Sequence, residues 1–419
     1  MFKLTFIKDE LTDENREYLK INKRRAVRGV IMHEGSLLMV KTANGDYKFP
    51  GGGVDKYEDD KYALLREIRE ETGYVDVEVA FCIGTAFEQN LDTFQDNTMF
   101  QMDSVYYLCK LRSLEQLDPK LDDYERELEF IGEFVSVDDA YMNNKSLESG
   151  TDQASAWLDR ETAVLGTLRD SLVDKLLLDI YECGQIMKSA DRTDVHIDGK
   201  DGHANFVTNY DKQIQNELKK RLLAIYKDAS FVGEEDDEKS SISDGFALIV
   251  DPIDGTTNFM KDYKMSCISV GITYNGEQVA GIVYQPYANE MYTAQLGQGA
   301  YLNGNPIHVS NSPLENSLVV FGTAPYYEEL TDKSFAKARE VIRYCIDVRR
   351  SGSAALDLCS VAAGRADMFF EYRICPWDIA AGSIIVTEAG GQISTIEGTP
   401  ITLEDKCSIL ATNGVTYLP

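Results

Sequence analysis

Phe246–Phe259 reads FALIVDPIDGTTNF, and this stretch decides how the C-terminal half of the chain folds. Its first five residues form a continuous apolar run, which predicts a strand covered on both faces. Pro252 then removes one backbone donor and fixes a bend. We therefore expect the carboxylates of Asp251 and Asp254 to converge on one point at the end of the strand.

The predicted end of this strand is rich in oxygen ligands. The two carboxylates and the carbonyl of Ile253 make an all-oxygen site, which suits Mg²⁺. Gly255 and Thr256 follow and predict the start of a helix, whose free N–H groups can hold a phosphate. The stretch alone is equally consistent with aspartates that only shape a turn and cap a helix.

Three further segments also place acidic residues at the ends of predicted elements, namely Phe206–Asp211, Phe231–Glu235 and Cys375–Gly382. In this order, and with Glu388–Gly391 closing the last helix, the segments resemble the inositol monophosphatase family of Mg²⁺-dependent phosphatases. The resemblance runs from about Leu168 to the end of the sequence.

This resemblance implies a layered αβαβα sandwich with a site for two or three Mg²⁺ ions. The implied metal ligands are Glu234, Asp251, Asp254, Asp378 and the Ile253 carbonyl. The residues implied around the attacking water are Asp211, Glu235 and Thr256. The residues implied at the substrate are Gly255 and Thr256 for the phosphate, and Gly352, Ser353, Ala354 and Glu371 for the leaving alcohol.

Two positions bear on the substrate. Glu371 can accept hydrogen bonds from the hydroxyls of a polyol, although it can also be a surface residue that follows a buried strand. Thr257 and Asn258 stand where relatives that cleave nucleotide 3′-phosphates carry a Lys-Glu pair. The resemblance therefore favours a monophosphate of the myo-inositol or sugar type.

The N-terminal half carries a second acidic motif on a predicted helix. Asp59 or Asp60 can cap this helix and Gly73 can end it. Glu67, Glu70 and Glu71 are spaced so that they share one helix face, opposite Leu65, Ile68 and Thr72. Three carboxylates on one face repel one another, so they indicate either a bound divalent cation or a solvated acidic surface.

The complete spacing decides between these two interpretations. Gly52, Glu58 and the run Arg66–Gly73 together resemble a Nudix box, with Tyr74 as the one departure, where an aliphatic residue is usual. The resemblance covers about residues 25–157 and implies an α/β/α sandwich with a mixed sheet. It further implies that one or more Mg²⁺ ions are held by residues that also act in catalysis, Glu67, Glu70 and Glu71, and that Arg66 shapes the loop and contributes to substrate binding.

Nudix enzymes hydrolyse a diphosphate joined to another group, often a nucleoside, and many use a further glutamate outside the box. Four residues are candidates for that role, and the sequence does not choose among Glu88, Glu125, Glu127 and Glu129. Residues 87–102 are polar with interleaved aromatic side chains, which predicts a long substrate-recognition loop between two strands.

Composition limits the kinds of molecule that the protein is expected to bind. The chain has 419 residues and a formal net charge of −28, which argues against a broad basic surface for nucleic acid or an anionic membrane. The eight cysteines show no CxxC spacing and are expected to be reduced. The first ten residues are too charged for a signal peptide, so we expect a cytoplasmic enzyme that acts on small phosphorylated molecules.

These observations predict two domains, a Nudix domain over residues 1–165 and a phosphatase domain over residues 166–419. The predicted function is a bifunctional Mg²⁺-dependent hydrolase that cleaves a diphosphate-linked substrate and a small phosphomonoester. In the alternative, only the phosphatase is catalytic, and the Nudix domain senses a nucleotide and regulates it. The phosphatase resemblance also implies a possible homodimer.

Overall fold

The computed structural model describes residues 1–9, 19–92, 95–147, 157–191, 197–199, 206–236, 240–325 and 327–419. The chain divides into two compact units. The first comprises Met1–Ser171 and Asn303–Asn305, and the second comprises Leu172–Leu302 and Pro306–Pro419. The polar sequence of residues 13–20 is typical of a helix, but all of it except residues 19 and 20 lies outside the described residues.

A mixed seven-stranded sheet forms the centre of the first unit. Its strands are β1 (Phe2–Ile7), β2 (Lys20–His33), β3 (Ser36–Lys41), β4 (Tyr47–Lys48), β5 (Val77–Leu91), β6 (Thr98–Leu111) and β7 (Ile131–Val135). Their order is β1-β5-β6-β2-β3-β4, with β7 beside β3. Strands β1 and β5, and strands β2 and β6, run parallel, whereas the other pairs are antiparallel. This confirms the predicted mixed sheet.

Among its described residues this unit has four helices beside the sheet, and they are α1 (Asp60–Thr72), α2 (Asp123–Glu127), α3 (Val137–Leu147) and α4 (Leu158–Asp170). The caps of α1 agree with the prediction, because Asp59 accepts hydrogen bonds from the backbone of Lys61 and Tyr62, and Gly73 ends the helix at φ 80°. Ala63, Leu64 and Ile68 of α1 pack against the sheet in a fully buried cluster. The predicted apolar face was wrong at Leu65, which is 38% exposed.

The predicted recognition loop over residues 87–102 is also wrong. Strands β5 and β6 pair antiparallel from Val77 and Leu111 up to Leu91 and Met99, so the connection shrinks to residues 92–97. The polar side chains that suggested a loop lie on these strands. Glu88, Asn90 and Met102 line a cavity, where a strand need not be apolar.

The second unit contains a seven-stranded, a five-stranded and a two-stranded sheet. The seven-stranded sheet follows chain order and comprises β10 (Ser230–Gly233), β11 (Phe246–Asp254), β12 (Cys267–Tyr274), β13 (Glu277–Gln285), β14 (Glu290–Gln295), β15 (Ala300–Leu302) and β16 (Asn305–Ile307). The five-stranded sheet, in spatial order, comprises β18 (Asp347–Arg349), β17 (Leu318–Phe321), β19 (Met368–Ile374), β21 (Cys407–Thr412) and β20 (Gln392–Ser394). The short pair is β8 (Ile197–Gly199) and β9 (Phe206–Thr208).

Helices separate and cover the two larger sheets. They are α5 (Leu177–Lys188), α6 (Asn209–Ile225), α7 (Thr256–Met260), α8 (Glu328–Val341), α9 (Ala354–Ala362) and α10 (Pro376–Glu388). Helices α5 and α6 contact the seven-stranded sheet, α9 and α10 contact both sheets, and α8 contacts the five-stranded sheet. The layers therefore follow the predicted αβαβα order.

Helix α10 lies unusually close to the seven-stranded sheet. A Cβ atom added to Gly271 of β12 would fall 2.5 Å from the Cβ of Ala380, and one added to Gly281 of β13 would fall 2.6 Å from the carbonyl oxygen of Ala381. Both distances are shorter than real contacts, so only glycine permits this packing. The position of α10 is thus fixed by two glycines on neighbouring strands.

Candidate active sites

The first candidate site lies at the end of β11, where the ladder to β12 breaks. Pairing shifts between Asp251 and Asp254, and Pro252 in this segment has no N–H to donate. The N–H of Ile253 donates to Asp251 Oδ1 at 3.0 Å. Asp251 and Asp254 still pair with Ser269 and Cys267, and the irregular segment between them leaves Pro252 and Ile253 out of the ladder.

Two other elements complete a group of three carboxylates. Asp254 Oδ2 accepts from Ser353 Oγ at 2.6 Å and from the N–H of Ala355, in the first turn of α9, at 2.8 Å. Asp378 lies in the first turn of α10, where its Oδ2 accepts from the N–H of Cys375 at 2.9 Å. Ligand oxygens of Asp251, Asp254 and Asp378 all lie within 4.8 Å of one another.

The electrostatics of this group favour a cation. Burial, followed by the negative charge of Glu234 and Asp254, holds the pKa of Asp251 well above its usual value. Burial also raises the pKa of Asp254, and it raises that of Asp378 well above normal together with the charge of Asp254. No ion pair within the described part of the chain neutralises these three groups, and hydroxyl and backbone donors hold them instead.

Thr256 connects the end of β11 to Asp211. Its Oγ1 lies 3.2 Å from the Ile253 carbonyl oxygen and 3.4 Å from Asp211 Oδ1. Asp211 is fully buried in the first turn of α6, and its Oδ2 accepts from the N–H of Thr208 at 2.8 Å. The contact holds Asp211 and Thr256 together on one side of the carboxylate group.

Glu234 and Glu235 follow β10 and have different surroundings. Glu234 lines the cavity with Asp251 and Asp378. The N–H of Glu235 donates to Gln215 Oε1 at 2.9 Å, and its side chain is not among those lining that cavity. The structure thus places Glu234 at the site directly and Glu235 beside it.

The cavity has a volume of about 320 Å³ and extends from the carboxylates to the predicted substrate segments. All predicted substrate-binding residues of this half line it, namely Gly255, Thr256, Gly352, Ser353, Ala354 and Glu371. Six further polar side chains that line it were not predicted from the sequence, because no motif marks Thr323, Tyr327, Arg350, Asp357, Arg373 and Lys406.

Glu371 is not a surface residue. It is 9% exposed, and its Oε1 accepts from the N–H of Ala324 at 2.8 Å. Burial raises the pKa of Glu371 to about 7. A Cβ atom added to Gly322 would lie 1.9 Å from Glu371 Oε2, so any other residue at position 322 would displace this carboxyl group.

The second candidate site lies on α1 and the glycine-rich loop before it. Glu71 is 1% exposed, and its two oxygens accept from Lys48 Nζ at 2.5 Å and from the N–H of Gly51 at 2.8 Å. Glu67 accepts from Arg66 Nη1 at 2.7 Å. A Cβ atom added to Gly52 would fall 2.4 Å from the Glu67 carboxylate, so the loop passes directly over it.

Arg66 organises the same loop. Its Nε and Nη2 donate to the two carboxylate oxygens of Glu58 at 2.9 and 3.0 Å, and Nη2 also lies 3.2 Å from the carbonyl oxygen of Gly53. Its Nη1 lies 3.2 Å from Glu70 Oε2. Arg66 therefore links the loop to two of the three predicted glutamates.

The structure brings Glu125, one of four candidates outside the box, to this site. Ligand oxygens of Glu67, Glu71 and Glu125 lie within 4.8 Å of one another, whereas Glu70 is outside this group. Glu125 is oriented by a capping box with Asp122 at the start of α2. Burial raises the pKa of both Glu67 and Glu125. Glu88 is instead paired with the buried Arg160.

Comparison with known proteins agrees with these two sites. The sequence model of the inositol monophosphatase family matches residues 174–417, and that of the NUDIX domain matches residues 22–158. The chain belongs to the inositol monophosphatase family. It is a phosphomonoesterase of that type, with a NUDIX domain preceding the phosphatase domain.

Similar proteins with curated names match the phosphatase half. Inositol monophosphatase 2 of Solanum lycopersicum is 36% identical over 251 residues, which cover 58% of this chain and 94% of that protein. Nus factor SuhB of Escherichia coli K12 is 35% identical over 214 residues, which cover 51% of this chain and 80% of SuhB.

Solved structures agree. The suhB protein of Bartonella henselae superposes with a TM-score of 0.55 at 30% identity, covering 58% of this chain and 94% of that one. The inositol monophosphatase TM1415 of Thermotoga maritima gives a TM-score of 0.52 at 31% identity, covering 58% and 92%. In the described part of this chain, no helix has the length and apolar character needed to span a bilayer.

Proposed function

We propose that this chain is a bifunctional Mg²⁺-dependent hydrolase, in which the NUDIX domain cleaves a diphosphate-linked substrate and the phosphatase domain dephosphorylates a small phosphomonoester such as an inositol or sugar monophosphate. The observation that carries the proposal is the presence of two separate clusters of three carboxylates, each of which lines its own cavity. A cytoplasmic location, homodimerisation through the phosphatase domain and the absence of nucleic-acid and membrane partners remain predictions.

The phosphatase residues fit divalent cations. Three buried carboxylates with raised pKa values stay charged only beside positive charge, and oxygen is the ligand that Mg²⁺ prefers. Two or three Mg²⁺ ions would be held by Glu234, Asp251, Asp254, Asp378 and the Ile253 carbonyl. When bound, Mg²⁺ supplies a water of lowered pKa and screens the charge of the phosphate.

The surrounding residues position the reactants. The contact between Thr256 and Asp211 supports a role for this pair in holding and orienting the attacking water, with Glu235 behind them. The N–H groups of Gly255 and Thr256, which line the cavity, would hold phosphate oxygens. Glu371, with Gly352–Ala354 opposite, faces the alcohol, and its acceptor oxygens suit the hydroxyls of a polyol.

In the NUDIX domain the proposed metal ligands are Glu67 and Glu71, with Glu70 at the edge and Glu125 as the glutamate from outside the box. Bound Mg²⁺ would screen the diphosphate and activate a water. Arg66 and Lys48 already balance part of the charge here. The same observation supports the second candidate function, a nucleotide-sensing regulatory domain, since side-chain cations reduce the need of this site for a metal.

Phosphate release separates these functions. Wild type, Glu70→Gln and Asp254→Asn would be assayed with Mg²⁺ on nucleoside-diphosphate compounds and on inositol or sugar monophosphates. Glu127→Gln and Asp244→Asn serve as matched controls, because both side chains are exposed and line neither cavity.

We expect each of the two site substitutions to remove one activity and to spare the other. If wild type has no diphosphatase activity but nucleotides change its phosphatase rate, and Glu70→Gln alters that response, the NUDIX domain is regulatory and the bifunctional proposal is wrong.

A further inference from the structure

Three arginines line space in the first unit beyond what the proposed metal ligands require. Arg24 and Arg28 lie on β2, and Arg160 lies on α4. All three line both a cavity of about 460 Å³ that contains Glu67, Glu71 and Glu125 and a neighbouring cavity of about 420 Å³. The two cavities therefore adjoin each other at these arginines, and the second extends the space beside the metal site.

Sheet register explains why there is room between the two arginines of β2. Arg24 and Arg28 point to the same face as Ala26, which lies between them. Ala26 pairs with Ser104, and Ser104 pairs with Ala86, so this row of the sheet carries only small side chains. Because these side chains are small, they leave space between the guanidinium groups of Arg24 and Arg28.

The arginines differ in what they already bind. Arg160 is 2% exposed and is neutralised by Glu88 and by Glu161, whose Oε1 lies 2.6 Å from Arg160 Nη2. Arg28 is 7% exposed, yet its buried Nε has no hydrogen-bond partner and lies 3.8 Å from Glu161 Oε1, which is too far for a hydrogen bond. This donor lacks an acceptor.

Arg24 is exposed and forms no ion pair among the described residues. Its Nη2 lies 3.3 Å from the position that a Cβ on Gly53 would take, so its head group lies over the glycine-rich loop. Two acidic side chains line the second cavity, but Glu88 is already paired with Arg160, and Asp92 accepts from the N–H of Gln95 at 3.2 Å.

We propose that Arg24 and Arg28 form a subsite for a second phosphate group, so that the substrate of the NUDIX domain is a diphosphate ester whose linked group carries a further phosphate. This inference rests on the proposed function. A phosphate accepts from guanidinium groups in the geometry that arginine provides, and it supplies the acceptor that Arg28 Nε lacks. A neutral ring stacked on Trp157 would leave that buried donor unsatisfied.

The subsite also links the two domains chemically. Hydrolysis adds one water across the P–O–P bridge, so that one P–O bond breaks and each phosphorus ends as a monoester or as inorganic phosphate. The phosphate at the arginine subsite is not altered. The released product is therefore a phosphomonoester, the class of compound that the second domain is proposed to dephosphorylate.

The test uses matched pairs of ligands that differ by one phosphate, coenzyme A against dephospho-coenzyme A, and 2′-phospho-ADP-ribose against ADP-ribose. Affinities would be measured by titration calorimetry with Mg²⁺ in a full-length Glu70→Gln background, so that turnover does not intervene. We expect the phosphorylated member of at least one pair to bind about tenfold more tightly or better, the value of one charge-assisted hydrogen bond or more.

Arg24→Gln and Arg28→Gln should each bring this ratio close to one and leave the affinity for the unphosphorylated member unchanged. Lys23→Gln is the matched control, because Lys23 is exposed on the opposite face of β2 and lines neither cavity. Arg24→Gln decides the matter if Arg28→Gln does not fold, since Arg24 is exposed.

Equal affinities within both pairs would overturn the proposal, as would a ratio that survives both arginine substitutions or falls equally with Lys23→Gln. If the phosphorylated ligand binds more tightly and the arginine substitutions remove this preference, but wild type hydrolyses neither pair, only the proposed diphosphatase activity is contradicted.

Discussion

The two clusters of carboxylates in this chain differ in how their negative charge is balanced. Asp251, Asp254 and Asp378 are held by hydroxyl and backbone donors, and burial raises their pKa values. Glu67 and Glu71 are each bonded to a cationic side chain, Arg66 and Lys48 respectively. Among the described residues, the three clustered aspartates of the first site thus form no ion pair, although Arg350, Arg373 and Lys406 line the same cavity, whereas the glutamates of the second site are directly bonded to cations.

This difference determines how strongly each site destabilises its domain when no metal is bound. Buried like charges without a cation destabilise the folded state, so metal binding and folding are strongly coupled in the phosphatase domain. In the NUDIX domain, Arg66 and Lys48 already balance part of the negative charge, and a metal that binds must compete with them. Four experiments test this comparison, beginning with the largest expected effect.

Asp254→Asn should lower kcat on a phosphomonoester by about a thousandfold or more, because it removes a metal ligand and the transition-state stabilisation that depends on it. The measurement is phosphate release at saturating substrate and Mg²⁺. Asp244→Asn, an exposed control, should retain full activity. A loss below about tenfold would show that the asparagine still serves as an adequate ligand, and would remove Asp254 from the essential set.

Lys48→Met should destabilise the first unit by roughly 3 kcal/mol in EDTA, because it leaves the buried Glu71 without its cation. Urea unfolding would be followed by the fluorescence of Trp157 in a Trp377→Phe background, since the chain has two tryptophans. Lys41→Met is the control. Lys41 forms an exposed pair with Glu133, and its loss should cost less than about 1 kcal/mol. Equal effects of the two substitutions would contradict the special role of Lys48.

Saturating Mg²⁺ should stabilise the second unit more than the first. At about one hundred times the dissociation constant, each site contributes roughly 2.7 kcal/mol. The phosphatase domain is proposed to hold more ions, and among the described residues its three clustered aspartates are bonded to hydroxyl and backbone donors rather than to cations. Urea unfolding with Mg²⁺ and with EDTA would be followed by Trp377 in a Trp157→Phe background, and by Trp157 in the reciprocal variant. A larger gain in the first unit would reverse the comparison.

The effect of Glu371→Gln on the free energy of unfolding should depend on pH. Burial raises the pKa of Glu371 from 4.5 to about 7, so the folded state binds the proton more tightly than the unfolded state does. Its contribution is therefore most favourable below about pH 4.5 and is lost as the pH rises towards 7. In EDTA, the variant should gain stability relative to wild type between pH 5 and pH 8. A difference that shrinks over this range would contradict the raised pKa.

Local patterns predicted much of this molecule. The end of β11, the cap at Asp59, the αL glycine at Gly73 and the layered order of the second unit follow from apolar runs, turn residues and the two family resemblances. The predicted phosphatase ligands also lie together, since each was identified at the end of an element.

Long-range contacts were not predictable in the same way. Glu125 reaches Glu67 through a short helix far along the chain, and nothing local distinguishes it from Glu127 or Glu129. The burial of Glu71 on α1 depends on Lys48, which lies on strand β4. The polar strands that carry Glu88 seemed to be a loop, because the cavity they line exists only after the sheet has formed.

The close approach of α10 to the sheet has a consequence for mutational screens. Asp378 is carried by α10, and Gly271 and Gly281 set the height of that helix above β12 and β13. A single methyl group at either glycine would lift the helix and carry the aspartate with it. A screen for protein abundance would classify such a change as a packing defect, whereas a screen for activity would assign it to the catalytic centre, and both would be reading the same displacement.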